Sequence, residues 1–301
     1  MRVLVTGGAG FIGSNIVKLL ESKGSKVVVL DNFSCADYKN LLDTKADVVC
    51  ADVADPLVFR KLPKFDAVIH EAAITDTTLA DNAKMMQVNF NGSENVLGFC
   101  FRKKIKLVYA SSAGVYGNCK SPAKESQKLI PHNTYAYSKY LFDCLVQKTI
   151  KKVRTPLIVG MRYFNVYGPG EAHKGAAASM TYQLYLQMKK GKRPRVFKSG
   201  EQKRDFIYVK DVARITVGAI ESKKSAILNL GTGRARSFNN IISGLNKGLK
   251  KNLKADYFDN PFADKYQNFT QADVTLLKKT LNTTAQFSLE QGISDYIGGY
   301  L

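Results

Sequence analysis

Tyr135 and Lys139 stand four residues apart in TYAYSKYLFDCLV (134–146), so on a helix they share one face, one turn from each other. A phenol and an ammonium so placed can act as a unit for proton transfer, the cation favouring phenolate over phenol. The same spacing also occurs on ordinary helix surface, and Tyr137 offers a second phenol close by. A second chemistry-bearing stretch, TGGAGFIGSN, carries Gly7, Gly10 and Gly13 around Phe11 and Ile12, directly after an apolar run. Gly7 can take a tight turn, Gly10 lets backbone N–H groups approach a pyrophosphate, and Gly13 permits close helix–strand packing. The helix N-terminus then favours phosphate charge, so the stretch predicts a dinucleotide site. Asp31 ends the second apolar run, where a carboxylate accepts ribose hydroxyls and favours NAD. Asn32 follows it, and Lys39 could reach a 2′-phosphate, which leaves NAD and NADP both open. Asp52 and Val53 are placed to meet the adenine. The turn HEAAIT, with Glu71, Ala72 and Ala73, is placed to run along the cofactor. His70, at a buried strand end, is expected to make a satisfied hydrogen bond.

These residues need a scaffold. RVLVT (2–6), KVVVL (26–30), ADVVC (46–50), AVIH (67–70) and KLVYAS (106–111) are unbroken β-branched runs, the pattern of strands covered on both faces. Between them IGSNIVKLLESKG and AKMMQVNFNGSENVLGFCFRK carry helical periodicity. PLIVGMRY (156–163) and AILNLGTG (226–233) continue the series. This alternation predicts an α/β fold, a doubly wound parallel sheet of the Rossmann type. The dinucleotide-binding domain is expected over 1–166, taking in about 205–233 as well. The segments YGPGEAHKG, ASMTYQLYLQMKKG and SFNNIISGLNKGLKK break the alternation. Residues 167–301 are therefore expected to form mainly a smaller, discontinuous substrate-binding lobe.

The bulk numbers narrow the class. The chain has 301 residues, 45% of them apolar, and no run reaches the roughly 18 apolar residues a membrane helix needs. MRVLVTGG passes from strand to glycines without a cleavable signal pattern. Five cysteines, without a C-x-x-C pair, predict free thiols in a reducing cytoplasm and no metal site. The net charge of +20 comes from scattered lysines, with no finger spacing and no basic tail. A solvated surface is expected rather than a nucleic-acid interface, and its field would draw in an anionic substrate such as a nucleotide sugar.

The fifth run leads into SSAGVYG, which puts Ser112 at a carboxyl strand end. With Tyr135 and Lys139 it completes a Ser…Tyr-x-x-x-Lys set. On this set and the glycine loop the chain resembles the extended short-chain dehydrogenase/reductase (NAD-dependent epimerase/dehydratase) family. The resemblance implies Tyr135 as general base or acid, Lys139 as the group that lowers its pKa and holds the nicotinamide ribose, and Ser112 as the orienter of the substrate hydroxyl. Tyr137, followed four residues later by Leu141, is then the bystander. A phenol with an ordinary pKa near 10 is too weak a base at pH 7 unless a cation depresses it. Lys139 and an oxidised nicotinamide are both such cations. Ala113 and Gly114 stand where the family's 4,6-dehydratases carry acids, which disfavours elimination of water.

Longer strings narrow the resemblance: HEAAITDTT, RYFNVYGPGEAHKG, KRDFIYVKDVA, LNLGTGRARSF and KYQNFTQADVTLL. They resemble the branch that epimerises ADP-activated heptoses at carbon 6, in lipopolysaccharide core biosynthesis. A UDP-sugar 4-epimerase or a reductase is the alternative, and a catalytically silent, RNA-binding Rossmann protein a remote one. The branch implies a tightly bound nicotinamide cofactor, NADP with NAD left open by Asp31, and a homo-oligomer. It also implies Lys174 as a second base opposite Tyr135, with His173 beside it, and Asn89 among the cofactor contacts. Asn165 would bind the substrate diphosphate and Arg204 a phosphate oxygen. Tyr266 and Gln267 would touch the sugar, and Phe197 would flank the adenine. GAAAS after Lys174 is less polar than the family implies.

Overall fold

The computed structural model describes residues 1–77, 80–261 and 267–301. Its first six strands are β1 (Arg2–Thr6), β2 (Lys26–Asp31), β3 (Asp47–Cys50), β4 (Ala67–His70), β5 (Lys106–Ser112) and β6 (Ile158–Tyr163). Then follow β7 (Asn165–Tyr167), β8 (Arg195–Phe197), β9 (Lys203–Tyr208), β10 (Ala226–Leu230), β11 (Ala235–Ser237) and β12 (Asp256–Phe258). Each expected apolar run became a strand of one parallel sheet, in the order β10-β6-β5-β4-β1-β2-β3. Alternate residues feed two cores. Val3 and Val5 join Ile16, Val17 and Leu20 of the Phe11–Ser22 helix on one face, with Val212 and Ile215 of the Val209–Gly218 helix. Leu4 and Val68 join Phe99, Phe142 and Val146 on the other, beneath the Gly92–Lys103 and Thr134–Lys152 helices.

The winding reverses between β1 and β4, which opens a crevice at their carboxyl ends. Register aligns those ends, Thr6 beside His70 and Ser112 beside Tyr163. The helical stretch expected over 83–103 is wound in three pieces. Asn82–Met86 and Gly92–Lys103 are α-helical, and a π turn spans Gln87–Asn91.

The remaining strands make two small sheets, β11-β9-β7 and β12-β8. Helices Met180–Lys189, Phe238–Leu249 and Leu289–Tyr300 pack with them around Tyr167, Leu184, Phe206, Ile241 and Ile293. β9 serves two cores, since Ile207 faces the large sheet while Phe206 and Tyr208 face this third cluster. Among the described residues no helix is long and apolar enough to cross a membrane.

Candidate active site

The glycine loop is closed to side chains. Gly7 has φ +68°, and a Cβ on it would lie 2.5 Å from the Ala72 backbone nitrogen. A Cβ on Gly13 would lie 2.1 Å from the Gly7 carbonyl oxygen. The first helix starts at Phe11 with no side-chain cap at Gly10 and no acid in its first turn. Its first N–H groups and positive end are thus kept for an anion. In front of them opens a cavity of about 1390 Å³, counting its mouth. It is lined by Gly7, Gly10, Phe11, Ile12, Gly13, Asp31, Asn32, Asp52, Val53, Glu71, Ala72, Ala73, Ser112, Tyr135, Lys139, His173 and Lys174. A loop that admits no Cβ and an uncapped helix start fit a dinucleotide pyrophosphate.

Three expected cofactor or adenine contacts do not line this cavity. Lys39 is exposed in the turn Tyr38–Leu41, its own N–H bound by Asp37 at 3.0 Å. Asn89 is fully buried because its amide bridges the Ile74 N–H and carbonyl at 2.8 and 2.9 Å. It ties the HEAAIT turn to the π segment. Phe197 packs edge-on against Phe258, centroids 4.9 Å apart, where β8 meets β12.

Tyr135 lies in the first turn of its helix, whose Asn133 cap accepts the Ala136 N–H at 2.8 Å. Lys139, buried one turn on, donates from Nζ to the Ala110 carbonyl at 2.9 Å. Ser112 accepts the Gly114 N–H at 3.0 Å and shares a hydrogen bond with Tyr135. Tyr137 points away and is 46% exposed. Burial lowers the Lys139 pKa to about 8, against the charges of Glu71 and Asp143. Burial also raises the Tyr135 phenol, with Glu71 adding to the rise and the Ser112 bond opposing it. Asp31 is held by two backbone donors, Ala9 N–H at 3.0 Å and Phe33 N–H at 2.9 Å. His70 is neutral and satisfied as expected. Its Nδ1 lies 2.6 Å from the Thr6 hydroxyl and its Nε2 2.9 Å from that of Ser93, which donates to the Asn89 carbonyl. Burial depresses its pKa to about 3.

Lys174 reaches the cavity on the loop after β7. Glu171 holds that loop, accepting from the N–H groups of Gly168 (2.9 Å) and Ser179 (2.6 Å) and from the Ser179 hydroxyl (3.0 Å). Asn15 donates to the Pro169 carbonyl at 2.8 Å, and Asn40 bridges the carbonyls of Ala9 (3.0 Å) and Gly170 (3.3 Å). Lys174 Nζ sits 5.8 Å from the Phe11 ring centroid, its pKa lowered by burial. Sequence reasoning missed Asn15, Asn40 and Glu171. Their partners lie on distant segments, and only the YGPG turn hinted at a fixed loop there.

A second cavity of about 670 Å³ shares Ser112, Tyr163 and Phe164 with the first. It is also lined by Tyr116, Asn165, Arg204, Gln267 and Phe269. Arg204 is 8% exposed, next to Asp205, whose carboxylate gathers the N–H groups of Thr232, Gly233 and Ala272. The Gln267 amide donates to the Gly117 carbonyl. Tyr266 lies outside the described residues. Beneath both cavities, Asp143 accepts from Arg162 Nε and the Tyr109 hydroxyl, each at 2.8 Å. Arg162 in turn donates to the Tyr116 hydroxyl at 2.9 Å. This buried pair, which sequence spacing does not announce, fixes the helix of Tyr135 against β6.

The arrangement can hold a dinucleotide beside a proton-transfer pair, with an arginine and an asparagine in the adjoining space. Residues 3–231 match the model of the NAD dependent epimerase/dehydratase family. The chain is similar to the Helicobacter pylori ADP-L-glycero-D-manno-heptose-6-epimerase, 40% identical, covering 99% of this chain and 95% of that one with a TM-score of 0.92. It is also similar to the Thermotoga maritima UDP-glucose 4-epimerase solved with UDP-glucose, at 28% identity, 99% and 98% coverage and a TM-score of 0.90. A UDP-glucose-4-epimerase from Stenotrophomonas maltophila, with bound NAD and formylated UDP-arabinopyranose, matches at 27%, 99% and 97% coverage and 0.89.

Proposed function

The chain belongs to the NAD-dependent epimerase/dehydratase family, and from that premise we propose that it interconverts ADP-D-glycero- and ADP-L-glycero-D-manno-heptose by transient oxidation at carbon 6. One observation carries this reading: Tyr135 and Lys174, from separate parts of the chain, line the same cavity as Ser112. A carbon that must be oxidised from one face and reduced from the other is served by a proton donor on each side. When bound, the nicotinamide supplies the hydride acceptor and donor. Tyr135 Oη takes the carbon-6 hydroxyl proton and Ser112 Oγ orients that oxygen. Lys139 holds positive charge beneath them, and Lys174 Nζ serves the opposite face. Arg204 and Asn165 grip the diphosphate in the second cavity, where a guanidinium can bind phosphate oxygens bidentately.

Identity to the heptose epimerase of 40%, against 27–28% for the two UDP-sugar enzymes, supports the heptose. Asp31 supports NAD as the resident cofactor, because Lys139, His173 and Lys174 are the only basic side chains lining the cavity among the described residues. The test incubates the protein with ADP-D-glycero-D-manno-heptose and, separately, with UDP-galactose, and follows epimers by NMR. Conversion of the UDP sugar alone overturns the substrate. Mass spectrometry of the nucleotide released on denaturation decides the cofactor, and NADP at one per chain overturns the choice of NAD.

A further inference from the structure

The wall beside Tyr135 and Lys139 carries a carboxyl that proton transfer does not use. Glu71 directly follows β4, is half-buried, and opens onto the cavity. Its Oε1 accepts the Tyr163 hydroxyl at 2.7 Å, and that hydroxyl lies 3.0 Å from the hydroxyl of Thr216. The side chain is thereby fixed at the carboxyl end of β6, where its charge acts on both Tyr135 and Lys139. An anion there works against a phenolate base. Another charge must account for it.

We propose that Glu71 sets the redox balance of the site, its carboxylate favouring the oxidised, positively charged nicotinamide over the reduced, neutral one. This deepens the epimerase reading and rests on it. Oxidising the carbinol sends a hydride to the cofactor and a proton to Tyr135; reducing the ketone returns both, so no outside oxidant is needed. A reduced cofactor left beside an escaped ketone is a dead end. A carboxylate that stabilises the cation drives the hydride back to the sugar before the ketone leaves. Opposite charges within about 4–6 Å bias an equilibrium by roughly one to three powers of ten. The groups facing Glu71 are Tyr163 on β6, with the Thr216 hydroxyl behind it, and Tyr135 and Lys139 on their helix. Lys139 alone among them is cationic and repels an oxidised ring, which Glu71 offsets. Burial pushes the Glu71 carboxyl up to about 7. Its charge is therefore present above that pH and lost below it.

The test is Glu71→Gln, which keeps an acceptor for the Tyr163 hydroxyl and removes the charge. The dissociation constants of NAD and NADH are measured by nicotinamide fluorescence and competition. The preference for the oxidised form should fall at least about tenfold, and reduced-nicotinamide absorbance should build up during turnover. A preference within about twofold of wild type overturns the proposal. Wild-type protein gives a second reading: the preference must grow between about pH 5.5 and 7, a window in which Lys139 stays almost fully protonated. A flat profile overturns the proposal whether or not the variant folds. A protein that binds neither form overturns the epimerase reading and this inference with it. Both forms bound in an unchanged ratio overturn this inference alone.

Discussion

At Tyr135 the protein's own groups pull in opposite directions. Burial and the Glu71 charge hold the phenol above its ordinary value, while the bond with Ser112 works the other way. Sequence spacing led to the expectation that Lys139 would lower this pKa. In the structure the ammonium is spent on the Ala110 carbonyl and is itself pushed down to about 8, so burial prevails. The cation of an oxidised nicotinamide is the remaining contribution that can bring the phenol into range. On the proposed reading, Tyr135 would then act as a base only in a loaded site. Tyr135→Phe should lose roughly 10²–10⁴ in turnover, the worth of positioned proton transfer, with cofactor content near wild type. Turnover within about tenfold would remove Tyr135 as the base. Lys174→Met should abolish epimerisation and likewise keep the cofactor. Loss of cofactor instead would show that Lys174 holds a phosphate, consistent with its place over Phe11.

Among the elements, the end of β4 couples fold stability to pH through two adjacent residues of opposite sign. His70 has a folded pKa near 3 against an ordinary 6.5, so the unfolded chain binds the extra proton below 6.5. Its contribution is complete above 6.5 and falls by about 1.4 kcal/mol for each pH unit below it. Glu71 has a folded pKa near 7 against 4.5, so the folded protein binds the extra proton between those values. Acidification there favours the fold, though less than the full increment because the carboxyl opens onto the cavity. In the cofactor-free protein these two contributions to urea stability should therefore largely offset each other between about pH 6.5 and 4.5. Glu71→Gln should lose stability steadily on acidification, and His70→Gln, weaker at pH 7, should gain. Parallel slopes in the three proteins would disprove the compensation. The glycine loop makes a sharper claim. Gly13→Ala drives a Cβ against the Gly7 carbonyl, backbone on backbone, so the purified variant should carry little or no nicotinamide even where it folds.

Across the whole molecule, legibility followed how local the signal was. Seven apolar runs were readable because strands covered on both faces need apolar residues throughout. The three-residue strands Asn165–Tyr167, Arg195–Phe197, Ala235–Ser237 and Asp256–Phe258 were not, being too short to show a period. The glycines, Asp31 and the Tyr135–Lys139 pair that line the first cavity were legible because they lie within short motifs. The Glu171 clasp and the Asp143–Arg162 pair join distant segments and leave no local trace. Charge is the whole-molecule property readable from composition alone, and it has a consequence of its own. A net +20 surrounds a site that takes a nucleotide sugar in the related enzymes. Such a field steers an anion toward a cleft and raises association rates by about 10–10³ at low salt. Raising the salt from about 10 to 150 mM shortens the screening length from roughly 30 to 8 Å. Over that range kcat/KM should drop several-fold while kcat stays level, because steering acts on capture and not on the bound sugar. A kcat/KM independent of salt would mean that the lysines only solvate the surface, and an equal loss in kcat would place their effect at the site itself.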